Sequence, residues 1–174
     1  PINAPVLSDL GVFYHEAGRQ REAVARTRQA VALEPFNWYF YHQLGRALKG
    51  ENDLQGAADA ESRACELGRS QQPCAALAIG LLQLGRDAEA RAQAARAKAM
   101  PDSLAGTYNL ACFWALAGDR DQALQFLRSS YGIGPGAAWI ASDPDLASLH
   151  GDPEFEALIE EMKRRFENLG KSGS

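Results

Sequence analysis

Residues 10–23 read LGVFYHEAGRQREA, and the same frame returns as LGRALKGENDLQGA at 44–57, LAIGLLQLGRDAEA at 77–90 and LACFWALAGDRDQA at 110–123. Leu10, Leu44, Leu77 and Leu110 head the four copies. A small residue follows each: Gly11, Gly45, Ala78 and Ala111. A turn-forming residue comes next, at Gly18, Asn52, Gly85 and Gly118, and the alanines Ala23, Ala57, Ala90 and Ala123 close the frame. Every column steps by 34, then 33, then 33 residues. A unit of that length is one supersecondary element that cannot bury its own apolar face, so copies must stack.

Each unit reads as two helices. Leu7, Leu10, Gly11 and Tyr14 fall at i, i+3, i+4 and i+7, the stripe of an amphipathic helix. Gly18 ends it, because glycine takes left-handed backbone angles without steric cost, and Asn52 is the next most tolerant residue at the equivalent place. Ala23, Val24, Thr27, Ala30 and Val31 line the second helix, which stops near Pro35. Pro101 and Pro135 close later units, while unit two ends at Gly68 and Pro73 opens the next helix. A further small column, Ala30, Ala64, Ala97 and Ser130, places slim side chains where helices must touch, which brings their axes close.

These residues resemble the tetratricopeptide repeat family, whose pattern runs W-x2-L-G-x2-Y, A-x3-F, P. Unit one supplies Leu10-Gly11-x2-Tyr14, Ala23 and Pro35. Unit two opens at Trp38 and continues with Leu44-Gly45, Leu48 and Ala57. Unit four supplies Leu110-Ala111-x2-Trp114, Ala123 and Pro135. The family's Phe is replaced by Thr27, Glu61, Ala94 and Leu127. The resemblance implies an all-α fold, a right-handed α-solenoid of antiparallel helix pairs, with units at about 4–37, 38–70, 71–103 and 104–137.

A degenerate fifth unit with a capping helix is expected over 138–168, ahead of a flexible tail at 169–174. Leu149-x-Gly151 echoes Leu116-x-Gly118, and Asp143-Pro144 and Asp152-Pro153 each place a capping side chain before a first-turn proline. The last helix carries Phe155, Leu158, Ile159, Met162 and Phe166 on one stripe, which suits it to cover the end of a solenoid. The segment from Asp143 to Phe155 also resembles the closing part of repeat regions in bacterial multidomain proteins such as kinases.

The net charge of −4 argues against a nucleic-acid binder. No apolar run reaches membrane-spanning length. The three cysteines, Cys65, Cys74 and Cys112, lack paired spacing and are expected to be reduced, packed thiols. That points to a cytoplasmic setting. The missing initiator Met suggests a chain cut from a longer one.

No nucleophile elbow, zinc-protease motif or P-loop is present. The glycine-rich stretch Tyr131–Gly136 closes a helix and ends in Pro-Gly, unlike a phosphate loop. His15, His42 and His150 with the cysteines lack zinc-ligand spacing. No enzyme activity, cofactor or metal is therefore expected.

What remains is the inner face of the first helices, which the resemblance implies is the binding surface. Counted from Trp38, the contact positions of unit two are Tyr39, His42, Arg46 and Lys49, spaced 3, 4, 3 and hence on one face. An Arg fork, a Lys and two flat rings suit an acidic or C-terminal peptide. Alternatively, Arg46 and Lys49 are merely solvated charges. Further along, Ile79, Leu82 and Tyr108, with Asn109 beside them, make an apolar half that receives a partner's side chains or is covered by the chain's own Trp139 and Ile140. The carboxylate clamp of the heat-shock cochaperones is absent, since Ser8, Val12, Gln43, Gln72 and Ala76 stand in its place.

The expected function is a non-catalytic scaffold that binds protein or peptide in the concave groove, with no nucleic-acid or membrane partner. The alternatives are self-association of the arrays as homo-oligomers, or a regulatory arm cut from a larger multidomain protein such as a kinase or protease.

Overall fold

The computed structural model describes residues 3–130 and 137–171, with side chains through residue 130 and from 139 to 164. Eight helices run in four antiparallel pairs: α1 (Ala4–Glu16) with α2 (Gln20–Leu33), α3 (Trp38–Gly50) with α4 (Leu54–Gly68), α5 (Gln71–Gln83) with α6 (Asp87–Lys98), and α7 (Leu104–Leu116) with α8 (Arg120–Ser129). Each second helix also touches the first helix of the next pair, and α1 packs on α3 as α5 does on α7. This serial stacking is an α-solenoid.

The turn within each pair is made by the residue the repeat singles out. Gly18, Gly85 and Gly118 sit at φ of 74°, 73° and 77°, and Asn52 takes 64°. A fourth left-handed glycine, Gly151 at 80°, stands where the decayed copy places it. The corner between α4 and α5 follows a different rule. Its left-handed residue is Arg69 at 45°, while Gly68 is helical and lies so close to Trp38 that a Cβ would come within 2.9 Å of the indole.

The seams are built of small side chains. Ala23, Ala90 and Ala123, together with Ala30, Ala64 and Ala97, have no exposed surface. Gly11 and Gly45 serve the same purpose, since a Cβ on Gly11 would meet the Thr27 methyl at 2.5 Å. The main core runs through α4–α8 around Leu110, Phe113, Leu124 and Leu127.

The C-terminal part closes this core. Helix α9 (Ala137–Ser142) leads to a 3-10 helix (Pro144–Leu149), and α10 (Pro153–Lys171) follows. Asp143 caps the 3-10 helix by accepting from the Asp145 amide at 2.9 Å. Asp152 caps α10 by accepting from the Glu154 amide at 2.8 Å. Phe155, Leu158 and Ile159 of α10 are buried with Leu146 and Leu149. Arg120 reaches across to both Asp152 and Glu154, and Arg128 also pairs with Glu154. The Arg120 contact holds the Asp152 carboxyl down at about 2. Pro135, Tyr131–Gly136, Phe166 and the 172–174 end of the expected tail lie outside the residues whose placement or side chains are described.

The cysteines depart from expectation. Cys65 and Cys74 form a disulfide, while Cys112 is free and buried. The spacing of nine residues spans the end of α4 and the start of α5, where the tight Arg69 corner brings the two Cα atoms to 4.7 Å. Their places on successive helices already put the two cysteines near each other, and the corner brings them to bonding distance. With the pair oxidised, the cysteines no longer support a reducing, cytoplasmic setting.

Candidate functional site

The inner faces of α3, α5 and α7 line a cleft of about 490 Å³, closed on its far side by α9 and the 3-10 helix. Its size lies within the usual range for ligand sites. Helix α3 contributes Tyr39, His42, Arg46 and Lys49, because steps of three and four residues keep them on one face. Helix α5 contributes Gln72, Ala76 and Ile79, and α7 contributes Tyr108 and Asn109.

His42 is buried at 4% exposure, so it forms the floor and not the mouth. Its Nδ1 lies 2.9 and 3.0 Å from the two oxygens of Glu61, itself buried on α4. The Gln72 amide nitrogen stands 3.2 Å from His42 Nε2. One arrangement satisfies all three groups: Gln72 donates to Nε2, and Nδ1–H donates to the carboxylate. Burial drives the Glu61 carboxyl above its ordinary value, with His42, Arg46 and Lys49 opposing. Gly45 makes the room, since a Cβ there would come within 2.7 Å of the Glu61 carboxylate.

The cations of α3 meet different fates. Lys49 is paired with Asp145 at 2.8 Å, across 96 residues of sequence. Arg46 is half-buried and donates from Nη1 to Gln43 Oε1 at 3.0 Å. Among the described residues it makes no close ion pair, although its charge acts on the buried Glu61 carboxyl.

At the α7 wall, Tyr108 donates its hydroxyl to Asp143 at 2.6 Å, and its ring lies 4.9 Å from that of Trp139. Burial, reinforced by Cys112 and Asp143, raises the Tyr108 hydroxyl well above its usual value. The Cys112 thiol is likewise raised, chiefly by burial, which disfavours its thiolate. Asn109 donates to the Gln72 carbonyl at 3.2 Å, tying α7 to α5.

Seven of the eight residues singled out from sequence line this cleft: Tyr39, His42, Arg46, Lys49, Ile79, Tyr108 and Asn109. Leu82 does not. It points to the main core, which it packs against while half-buried. The apolar half is covered by the chain's own segment, with Ile140 buried and Trp139 on Tyr108. Among the described residues no group of three or more His, Cys, Asp or Glu side chains could hold a metal ion. No described helix is long and apolar enough to cross a membrane.

No protein-family model and no curated protein matches this chain. Solved structures do. A crystal structure of MamA aligns over 74% of this chain and 76% of its own, at 22% identity and a TM-score of 0.56. PilF of Pseudomonas aeruginosa aligns over 91% of this chain and 67% of its own, at 20% identity and 0.55. The nearly identical TPR-like repeats of a Podosopora anserina chain align over 95% and 90%, at 18% identity and 0.53. The chain has the tetratricopeptide-repeat fold.

Within that fold, the cleft also contains residues that the repeat pattern did not mark as contacts. Glu61 occupies the column where the repeat carries Phe, and a lone acid in an apolar column was the available signal. Asp143 and Asp145 were legible only as a helix cap and a first-turn acid. Their place in the cleft follows from how the tetratricopeptide array folds its C-terminal segment back onto α3 and α7.

Proposed function

We propose that this chain is a non-catalytic binding scaffold whose concave cleft receives an acidic segment of a protein or peptide partner. The observation that carries this reading is Arg46. It is a half-buried guanidinium facing a cleft, it uses one nitrogen on Gln43, and it has no ion-pair partner among the described residues. A fork of that kind recognises carboxylate with two parallel hydrogen bonds. Tyr39 and Tyr108 add flat apolar area, and Ile79 and Ala76 supply an apolar wall. Because the walls are packed helices, a partner binds with little reorganisation of the receptor.

The test is a peptide array probed with the wild-type chain and with the Arg46→Glu, Lys49→Glu double variant. Asp- and Glu-bearing peptides should be retained by the wild type and lose about tenfold or more in affinity with the variant, the scale of a charge-assisted hydrogen bond. Binding that ignores peptide charge, or that the double variant leaves intact, would remove the groove reading.

A further inference from the structure

The cleft is not empty of chain. Residues Trp139–Asp145 form its far wall and make contacts that an acidic partner would be expected to make. Asp145 gives its carboxylate to Lys49 through both oxygens, at 2.8 and 3.2 Å. Asp143 takes the Tyr108 hydroxyl at 2.6 Å, and the Trp139 ring lies tilted against that of Tyr108. These are long-range contacts, 96 and 35 residues apart in sequence, so they report docking of one segment on another and not local helix geometry.

The segment is held unevenly. Downstream, Leu146 and Leu149 are buried in the main core, and Ser148 donates to the Ala115 carbonyl at 2.9 Å. Upstream, Trp139 remains 47% exposed, and the Lys49 side chain is 41% exposed. The Asp145 carboxylate is largely covered but the Lys49 ammonium reaches solvent, so this pair is weaker than a fully buried one. Ile140 is the one buried apolar side chain of the crossing part. Lifting the crossing part would cost the burial of Ile140 and the packing of α9 on α10, and would leave Leu146 and Leu149 in the core.

We propose that Trp139–Asp145 is a resident occupant of the cleft, and that the external partner is a segment of like chemistry, an aromatic residue followed within a few positions by two acids, which binds by displacing it. This deepens the groove reading and rests on it. Charge complementarity selects the occupant. With the segment lifted, Lys49 joins Arg46 one turn away on α3, so the open cleft offers two cations, a tyrosine hydroxyl and an aromatic face to the incoming chain.

The probe is a fluorescein-labelled peptide with the sequence of residues 139–149, read by polarisation against four chains. These are the wild type, the opened variant Trp139→Ala with Asp145→Asn, and each of the two carrying Arg46→Glu and Lys49→Glu. The opened variant is expected to bind the peptide at least tenfold more tightly than the wild type, and a peptide with both Asp changed to Asn is expected to bind it weakly. Equal affinity for wild type and opened variant, with loss in the Arg46–Lys49 variants, would overturn the displacement and leave the groove reading standing. Binding that survives Arg46→Glu and Lys49→Glu would overturn both. Should the opened variant fail to fold, hydrogen exchange on the wild type decides. Amides 139–145 should exchange faster at saturating peptide, and unchanged or slower exchange would sink the proposal.

Discussion

Asn52 and the three glycines aligned with it do one job, which is to reverse the chain between two helices with a left-handed residue. A Cβ on Gly85 or Gly118 would meet nothing within 4 Å. The cost of Gly118→Ala is therefore purely conformational, about 1–2 kcal/mol, and should appear as a lowered urea midpoint with unchanged slope. Asn52→Gly should be neutral or slightly stabilising in the same measurement. Glu61 presents the opposite case, a charge placed where burial opposes it. Its folded value lies above its unfolded one, so the native state holds more protons than the unfolded chain between those two values. Stability linked to Glu61 is thus fully present below the ordinary carboxylate range and is lost as pH rises through the folded value. Glu61→Gln keeps an acceptor for His42 and abolishes this loss. Its melting temperature, followed from pH 4 to 8, should gain on the wild type with rising pH, and parallel curves would contradict the assignment. The turn residues were legible in the sequence because a positive φ restricts residue type. The His42–Glu61 pair was not, because its partners lie on different helices and only their packing makes them neighbours.

At the scale of elements, the repeat columns located the helices because alanine and glycine recur wherever two rods cross. Ala123 has no exposed surface on α8. Ala123→Leu adds volume to a seam without space for it and should cost about 1–3 kcal/mol in denaturant unfolding. An unchanged midpoint would mean that the seam lies elsewhere. The C-terminal elements were less legible. Their proline-capped starts could be read, since Asp before Pro is a local signal. That the segment before α10 folds as a short α9 and a 3-10 helix, and not as a full helix pair, was not. Its few apolar residues, Ile140, Leu146 and Leu149, find their partners on other elements. Leu82 illustrates the same limit. Helical spacing places it on the cleft side of α5, but it packs against the core, because α5 is apolar nearly all round and the choice of face falls to its neighbours.

Over the whole molecule, the cleft exists because four helix pairs stack in order and the chain then returns to its own inner wall. The disulfide between Cys65 and Cys74 pins the corner between the second and third pairs. A loop of that length should contribute about 2–3 kcal/mol by constraining the unfolded chain. Reductant, or Cys74→Ala, should lower the melting temperature accordingly, whereas the reduced form of Cys74→Ala should show no further response. Equal melting temperatures with and without reductant would show that the bond contributes nothing.

The stacked-pair architecture, its turn residues and the helix face bearing Arg46 and Lys49 were determined by sequence alone, because each depends on a period or on a backbone angle that few residues adopt. Three things were decided only in the folded chain: the oxidised cysteine pair, the buried acid beneath His42, and the closing of the groove by Trp139–Asp145. All three bring together residues from different helices, and no local propensity encodes that distance.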